Sequence, residues 1–233
     1  MRIARYLARC GIASRRASEA LIREERVSVN GTTITNPAFN VSPERDTVRF
    51  DDVAVSLPAA VYIALNKPPG YVTSAADSHA EKLVWELLPD SLKEIGLFTV
   101  GRLDKESEGL LLVTNDGLFG QRLMHPKYQI EKAYRVTVRG RIAEAWLRQC
   151  KAGIMDDDET LRAESVERVR QAGPVSELAF VLVQGKKREI RRLCRAGGLK
   201  VERLVRLRIG SVELGALKHG EWRYLEKAEL EKL

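Results

Sequence analysis

Hydrophobic patterning weakens over residues 51–60, where Asp-Asp-Val-Ala-Val-Ser-Leu-Pro-Ala-Ala lacks a strong helical or strand period and includes Pro58. That break constrains the fold most, because the segments on its two sides obey different rules. Before it, Ile3, Leu7 and Cys10 share one stripe of a helix predicted over residues 2–10, with Arg2, Arg5 and Arg9 on the other side. Gly11 ends that helix. Ser14 is placed to cap a second one running to about Arg23, with Ala17, Ala20 and Leu21 inward. Val27–Val29 then alternates into Asn30-Gly31, a pair that tolerates the left-handed backbone of a tight hairpin, followed by Thr32–Ile34. Val48–Phe50 reads as a closing strand.

After the break the chain becomes strand-rich. Tyr62–Leu65 is a strand closed by Lys67-Pro-Pro-Gly70, and Ala80–Leu88 is a short helix stopped by Pro89. Leu97–Val100 and Leu110–Thr114 are strands on either side of a polar loop, and Asn115-Asp116-Gly117 turns the second. Tyr134–Val138 alternates, while Ala143, Trp146, Leu147 and Cys150 mark a helix by their spacing. Strands return at Leu178–Val183 and over Val201–Leu214. They outnumber the helices and do not alternate with them regularly. The expected class is therefore α+β, with a mixed, mainly antiparallel sheet and flanking helices. The predicted organisation is a small helical and hairpin domain over 1–52, a linker over 53–60 and a larger domain over 61–233.

Charge narrows the partners. The net charge is +7. Between Lys186 and Arg208 ten basic residues face only Glu189 and Glu202, so this segment alone carries more than the net charge of the chain. The first 26 residues hold seven arginines against Glu19, Glu24 and Glu25. Two basic patches on a near-neutral body point to a polyanion, because phosphate contacts supply most sequence-independent affinity. No run is long enough to span a bilayer, and the first residues lack the apolar stretch of a secretory signal. Cys10, Cys150 and Cys194 are scattered, as are His79, His125 and His219, which suits a reducing, cytoplasmic setting with no metal site. The acidic run Asp156–Glu159 reads as a solvated turn.

Three constellations could carry chemistry. The loop Gly101-Arg-Leu-Asp-Lys-Glu-Ser-Glu-Gly109 lies between two apolar strands, and Asp104 has basic neighbours that keep a carboxylate ionised. Taken alone it is a charged loop. In Gln184–Arg195, a helix beginning near Lys187 puts Arg188, Arg191, Arg192 and Arg195 on one face and Ile190, Leu193 and Cys194 on the other. Such a face grips a phosphate backbone, or spares one guanidinium for a buried carboxylate. Tyr134, in phase with Val136 and Val138, is either a core aromatic or a platform on which a flipped base stacks.

The first segment, Arg2–Arg16 with Arg26-Val-Ser-Val-Asn-Gly31, resembles the alpha-L RNA-binding module of a small-subunit ribosomal protein and of tyrosyl-tRNA synthetases. That likeness implies RNA contacts by Arg5, Arg9, Arg15 and Arg16. Leu65-Asn-Lys-Pro-Pro-Gly-Tyr71, Gly101–Gly117, Glu131-Lys-Ala-Tyr134 and Gly185-Lys-Lys-Arg-Glu-Ile-Arg-Arg192 together resemble the bacterial ribosomal-RNA pseudouridine synthases. The resemblance implies an isomerisation of uridine that needs no cofactor. In it Asp104 is the essential carboxylate, attacking C1′ or drawing a proton from C2′. Tyr134 stacks on the uracil, Arg191 pairs with Asp104, and Arg102 fills the gap left by the flipped nucleotide. Lys187, Arg188, Arg192 and Arg195 are the further RNA-binding candidates. The chain departs from the family at Glu189, where some members carry Gln, and over Asp77–Lys82, which lacks the usual Asp-Pro and Gly-Arg.

The Arg188–Arg192 run and Leu123-Met-His-Pro126 lean toward large-subunit RNA, with small-subunit RNA as the alternative. The expected partner is ribosomal RNA or an assembling subunit, bound by a monomer. Two other readings fit the residues: a non-catalytic ribosome-assembly factor, and a hydrolase pairing Asp104 with Glu106 or Glu108.

Overall fold

The computed structural model describes residues 1–74 and 82–233. The chain divides into two units: Met1–Val61 with Leu88–Phe98 and Thr114–Asp116, and Tyr62–Leu87 with Thr99–Val113 and Gly117–Leu233.

In the first unit α1 (Ile3–Arg9) and α2 (Arg15–Arg23) precede β1 (Val27–Val29), β2 (Thr32–Thr33), β3 (Val48–Phe50) and β4 (Val53–Val55), which form a sheet in the order β2-β1-β3-β4. Asn30 and Gly31 both take positive φ (51° and 83°), as the hairpin signal requires. Ser14 Oγ accepts from the Ala17 amide at 3.2 Å and caps α2. The inward face of α2 differs from the predicted one. Ser18 and Ile22 are buried, while Ala17 and Ala20 are exposed and Leu21 is half-buried. The larger Ile22 sets the face, and Ser18 follows because its hydroxyl donates to the Ala13 carbonyl at 3.4 Å. Ile3, Leu7, Ile22, Val27 and Val48 form the core of this unit.

The stretch expected to be a linker begins as a strand. Asp51 and Asp52 adopt left-handed conformations (φ 46° and 62°) and turn β3 into β4. The carboxylate of Asp51 accepts from Arg26 Nε at 2.9 Å. Asp tolerates such a turn, so the dipeptide carried a hairpin signal that a search for periodicity passes over.

The second unit is built on a nine-stranded sheet. Its strands are β5 (Tyr62–Lys67), β6 (Phe98–Val100), β7 (Glu108–Thr114), β8 (Lys132–Arg139), β11 (Ser165–Ala172), β12 (Val175–Leu182), β13 (Lys200–Ile209), β14 (Val212–Glu213) and β15 (Trp222–Tyr224). The main order is β11-β12-β8-β13-β7-β5-β15, with β14 on β13 and β6 on β7. Pairing is antiparallel in β11–β12, β12–β8, β8–β13 and β5–β15, and parallel between β13 and β7. This is the mixed, mainly antiparallel architecture expected. A separate hairpin joins β9 (Ile154–Asp156) to β10 (Glu159–Leu161). The helices are α3 (Asp90–Lys93), which belongs to the first unit, and α4 (Gly117–Met124), α5 (Glu144–Ala152), α6 (Glu189–Ala196) and α7 (Lys227–Glu231). The helix predicted over Ala80–Leu88 starts outside the described residues, and its described part holds a single 3-10 turn at Val84–Leu87. The Asp77–Lys82 departure also lies outside them, except for Lys82.

The largest core cluster packs α5 and α6 against β8 and β12 through Val136, Val138, Trp146, Leu178, Phe180 and Leu193. Trp146 Nε1 donates to the Leu193 carbonyl at 3.0 Å. A Cβ at Gly197, just after α6, would lie 2.5 Å from the Trp146 ring, so only glycine lets helix and indole approach this closely. That contact fixes the position of α6 on the sheet.

Candidate active site

Asp104 lies in the loop between β6 and β7, and buried groups hold that loop from behind. Lys67, at the end of β5, is fully buried and donates to the carbonyls of Ser107 (2.6 Å), Pro68 (3.0 Å) and Lys105 (3.3 Å). Burial pulls its pKa down to about 8, so the ammonium form still prevails at neutral pH. Thr73 Oγ1 donates to the Leu103 carbonyl at 2.8 Å, and the Gly70 amide to the Lys105 carbonyl at 2.7 Å. Gly109 (φ 101°) lets β7 meet β13, since a Cβ there would overlap the Arg206 carbonyl. In the sequence Lys67 and Pro68 were legible as the end of a strand and as part of the Leu65–Tyr71 motif. A lysine before two prolines gives no sign that its amine will be buried among carbonyls.

Two arginines reach Asp104, Arg191 from α6 and Arg188 from the position just before it. Arg191 Nε lies 3.9 Å and Arg188 Nη1 3.8 Å from Asp104 Oδ2. Both distances exceed a hydrogen bond, so the carboxylate is held by charge while its oxygens stay free to react. Arg191 is largely buried, and its Nη2 donates to Ser107 Oγ at 3.3 Å. Arg188 takes a left-handed conformation (φ 52°) immediately before α6, which therefore starts at Glu189 and not near Lys187.

Glu189 has a defined place. Buried at 3% exposure, it accepts from Gln184 Nε2 (2.9 Å) and the Lys186 amide (3.0 Å), tying down the loop before the helix. Burial pushes its pKa up, partly offset by these bonds.

The predicted arginine face splits in two. Arg192 and Arg195 turn away from Asp104 toward the β9–β10 hairpin. Arg192 pairs with Asp156 and with Glu159 Oε2 (2.6 Å), and Arg195 Nη2 reaches Asp156 Oδ1 at 2.9 Å. The acidic run is thus not a free solvated turn. Its end residues neutralise α6, which argues against Arg192 as a phosphate contact and weakens that reading for Arg195. Arg188 precedes the helix in a left-handed conformation, so its spacing of four from Arg192 does not put the two on one face.

Asp104, Arg191, Tyr134, Arg102, Lys187 and Arg188 line one cavity of ≈ 810 Å³, together with Lys132 and Arg206. Tyr134 is 8% exposed, so it is both a core residue and a cavity wall. The carboxylates considered for a hydrolase are placed elsewhere. Glu108 does not line the cavity and is occupied by Arg203 (2.7 and 3.0 Å) and His219 (2.6 Å), while Glu106 is exposed and pairs with Arg188. Among the described residues no cluster of three or more His, Cys, Asp or Glu could hold a metal ion. No helix there is long and apolar enough to cross a membrane.

The RNA pseudouridylate synthase family model matches residues 61–196, and the S4 domain model matches residues 1–47. The chain belongs to the RNA pseudouridylate synthase family. An RNA pseudouridine synthase of Aquifex aeolicus is 38% identical over 234 residues, covering 100% of this chain and 93% of that protein. Ribosomal large subunit pseudouridine synthase B of Bacillus subtilis is 33% identical over 237 residues, covering 100% and 95%. A solved crystal structure of a pseudouridylate synthase matches with TM-score 0.70 at 28% identity, covering 100% of this chain and 99% of the other. The fold of this synthase agrees with that likeness over its whole length, its N-terminal S4 domain included.

In that domain Arg15 and Arg16 are exposed and Arg5 and Arg9 half-buried. Among the described residues, Arg5, Arg9 and Arg16 have no acidic partner within 4.0 Å, and Arg15 has only Glu19 at 3.9 Å. The structure therefore leaves these cations available to phosphate.

Proposed function

We propose that this synthase isomerises a specific uridine of large-subunit ribosomal RNA to pseudouridine, with Asp104 as the essential carboxylate. The observation that carries the reading is the placement of Asp104, loosely paired with Arg191 and Arg188, in a cavity walled by Tyr134. Asp104 attacks C1′ of the flipped nucleotide or removes a proton from C2′, so that the base detaches. Tyr134 stacks on the uracil while it turns to present C5, and Arg191 keeps the carboxylate aimed. Arg102, exposed at the cavity mouth, takes the place of the base in its stack. Arg5, Arg9, Arg15 and Arg16 hold phosphates, and Lys187 and Arg188 add contacts beside the cavity. The large-subunit assignment is supported by the names of the Bacillus subtilis relative and of a 35% identical protein of Vibrio vulnificus. The enzyme acts in the cytoplasm, as a monomer, on ribosomal RNA or an assembling subunit.

A carbodiimide and primer-extension map of both ribosomal RNAs, from cells with and without the gene, tests this directly. One signal missing from large-subunit RNA is expected, and it names the target. A missing small-subunit signal would reassign the substrate. No missing signal would favour the assembly-factor reading. Asp104→Asn is expected to abolish isomerisation in single turnover while RNA affinity stays within about tenfold, since phosphate contacts dominate binding. Retained activity would overturn the catalytic assignment.

A further inference from the structure

Arg206 and Lys132 are cations with no part in the steps proposed for Asp104 and Tyr134. Arg206 is 3% exposed, its Nε donates to the Leu110 carbonyl (2.7 Å), its Nη1 reaches the Arg102 carbonyl (3.4 Å), and its buried Nη2 has no hydrogen-bond partner. Lys132 is half-buried, and its Nζ donates to the Ile130 carbonyl at 3.2 Å. Among the described residues neither has a carboxylate within 4.0 Å, although both line the cavity that holds Asp104. Arg191 and Arg188 stand against Asp104, so this second pair has no carboxylate in contact, and Glu189 acts on Lys132 only from beyond 4.0 Å. Burying a guanidinium without a counter-charge is costly, and an anion that arrives there gains the most in a poorly solvated site.

The sheet register locates that anion. Arg206 of β13 stands directly opposite Tyr134 of β8, and Lys132 precedes Tyr134 by two residues on the same strand, so all three share one face. Whatever stacks on Tyr134 is flanked by two unpaired cations. We infer that Arg206 and Lys132 stabilise the uracil as an anion during the interval in which it is detached from the sugar. The inference rests on the reading of the site as a uridine isomerase.

The chemistry requires such a species. As the C1′–N1 bond breaks, its electron pair leaves with the base. Asp104 then either forms the new bond to C1′ or takes the C2′ proton, whose C–H pair becomes the C1′–C2′ double bond. By either route uracil departs with a negative charge spread over N1, O2 and O4. When C5 bonds to C1′ that charge is consumed, and Asp104 is released, or returns its proton to C2′. Loss of the C5 proton and protonation of N1 complete the product. The charge on the base exists only between these two bond changes, so cations aimed at it favour the transition state over bound uridine, which is neutral.

A leaving-group test separates this role from a structural one. Fluorine at C5 makes uracil a more stable anion that depends less on outside charge. Single-turnover loss of the N-glycoside would be followed on the transcript named by the mapping experiment, carrying uridine or 5-fluorouridine at the target, for wild type, Lys132→Gln, Arg206→Gln and Arg206→Lys. Each Gln variant is expected to slow the uridine reaction by about 100-fold, the scale of deleting one anion-stabilising donor, and to slow the 5-fluorouridine reaction at least about tenfold less. Arg206→Lys is expected to recover part of the uridine rate. Equal losses on both substrates would overturn the inference. So would a loss confined to RNA affinity, which would make the pair a phosphate site. Lys132→Gln, which gives up a single hydrogen bond, carries the test should Arg206→Gln fail to fold. An inactive wild type would instead remove the underlying isomerase reading.

Discussion

Lys67 offers three N–H groups to three carbonyls, those of Lys105 and Ser107 in the loop that bears Asp104 and that of its neighbour Pro68, a match that holds only while it is protonated. Above its pKa of about 8 the neutral amine has two donors for three acceptors. Single-turnover isomerisation is therefore expected to decline above about pH 8. Stability should move the other way. Between about 8 and the ordinary value of 10.5 the unfolded chain binds a proton that the folded chain has lost, so stability rises with pH across that window. Melting curves of wild type and Lys67→Met at pH 7.5 and 9.5 check the sign: wild type should gain on the variant at the higher pH. Lys67→Met strands three carbonyls in a dry site and should cost about 3 kcal/mol at neutral pH. A rate that stays flat to pH 10 would mean the ammonium does not organise the loop.

At the scale of elements, α6 serves two neighbours. Its first turn and the residue before it present Arg188 and Arg191 to Asp104, and its later turns give Arg192 and Arg195 to the β9–β10 hairpin. Asp156→Ala is expected to lower the melting temperature and leave RNA affinity unchanged or slightly higher, because it removes a negative charge and frees two arginines. Arg192→Ala should likewise destabilise the fold without altering the salt dependence of binding. A salt slope lowered by about 1 would show that Arg192 meets a phosphate after all. Elements missed from the sequence escaped it for different reasons. Most of β11 is exposed at the sheet edge, so it has no apolar alternation to read. β4 has three residues, too few to show a period.

For the whole molecule the governing quantity is unpaired positive charge, which is less than total positive charge. Many of the basic residues between Lys186 and Arg208 are spent inside the protein, Arg203 on Glu108, Arg208 on Glu131, and Arg192 and Arg195 on Asp156. The arginines of the S4 domain have far fewer acidic neighbours. Arg5→Ala with Arg9→Ala is therefore expected to weaken RNA binding and to flatten log K against log salt by about 1–2. An unchanged slope would take these residues out of the interface. The same measurement on Arg195→Ala should show a smaller effect, the reverse of what a count of basic residues suggests.

Local chemistry determined much of this protein by itself. Asn30-Gly31 specifies a hairpin because both residues accept a left-handed backbone, Ser14 caps α2 with its own hydroxyl, and the spacing of Ile190, Leu193 and Cys194 buries one side of α6. The motif around Asp104 was legible for the same reason: its residues are contiguous. Tertiary structure alone decided which charges meet. Lys67 and Ser107 are forty positions apart, Arg192 and Asp156 thirty-six, and Arg206 faces Tyr134 only because β13 pairs with β8 in one register. Electrostatic pairing depends on distance in space and on burial, and a linear sequence encodes neither until the sheet has formed.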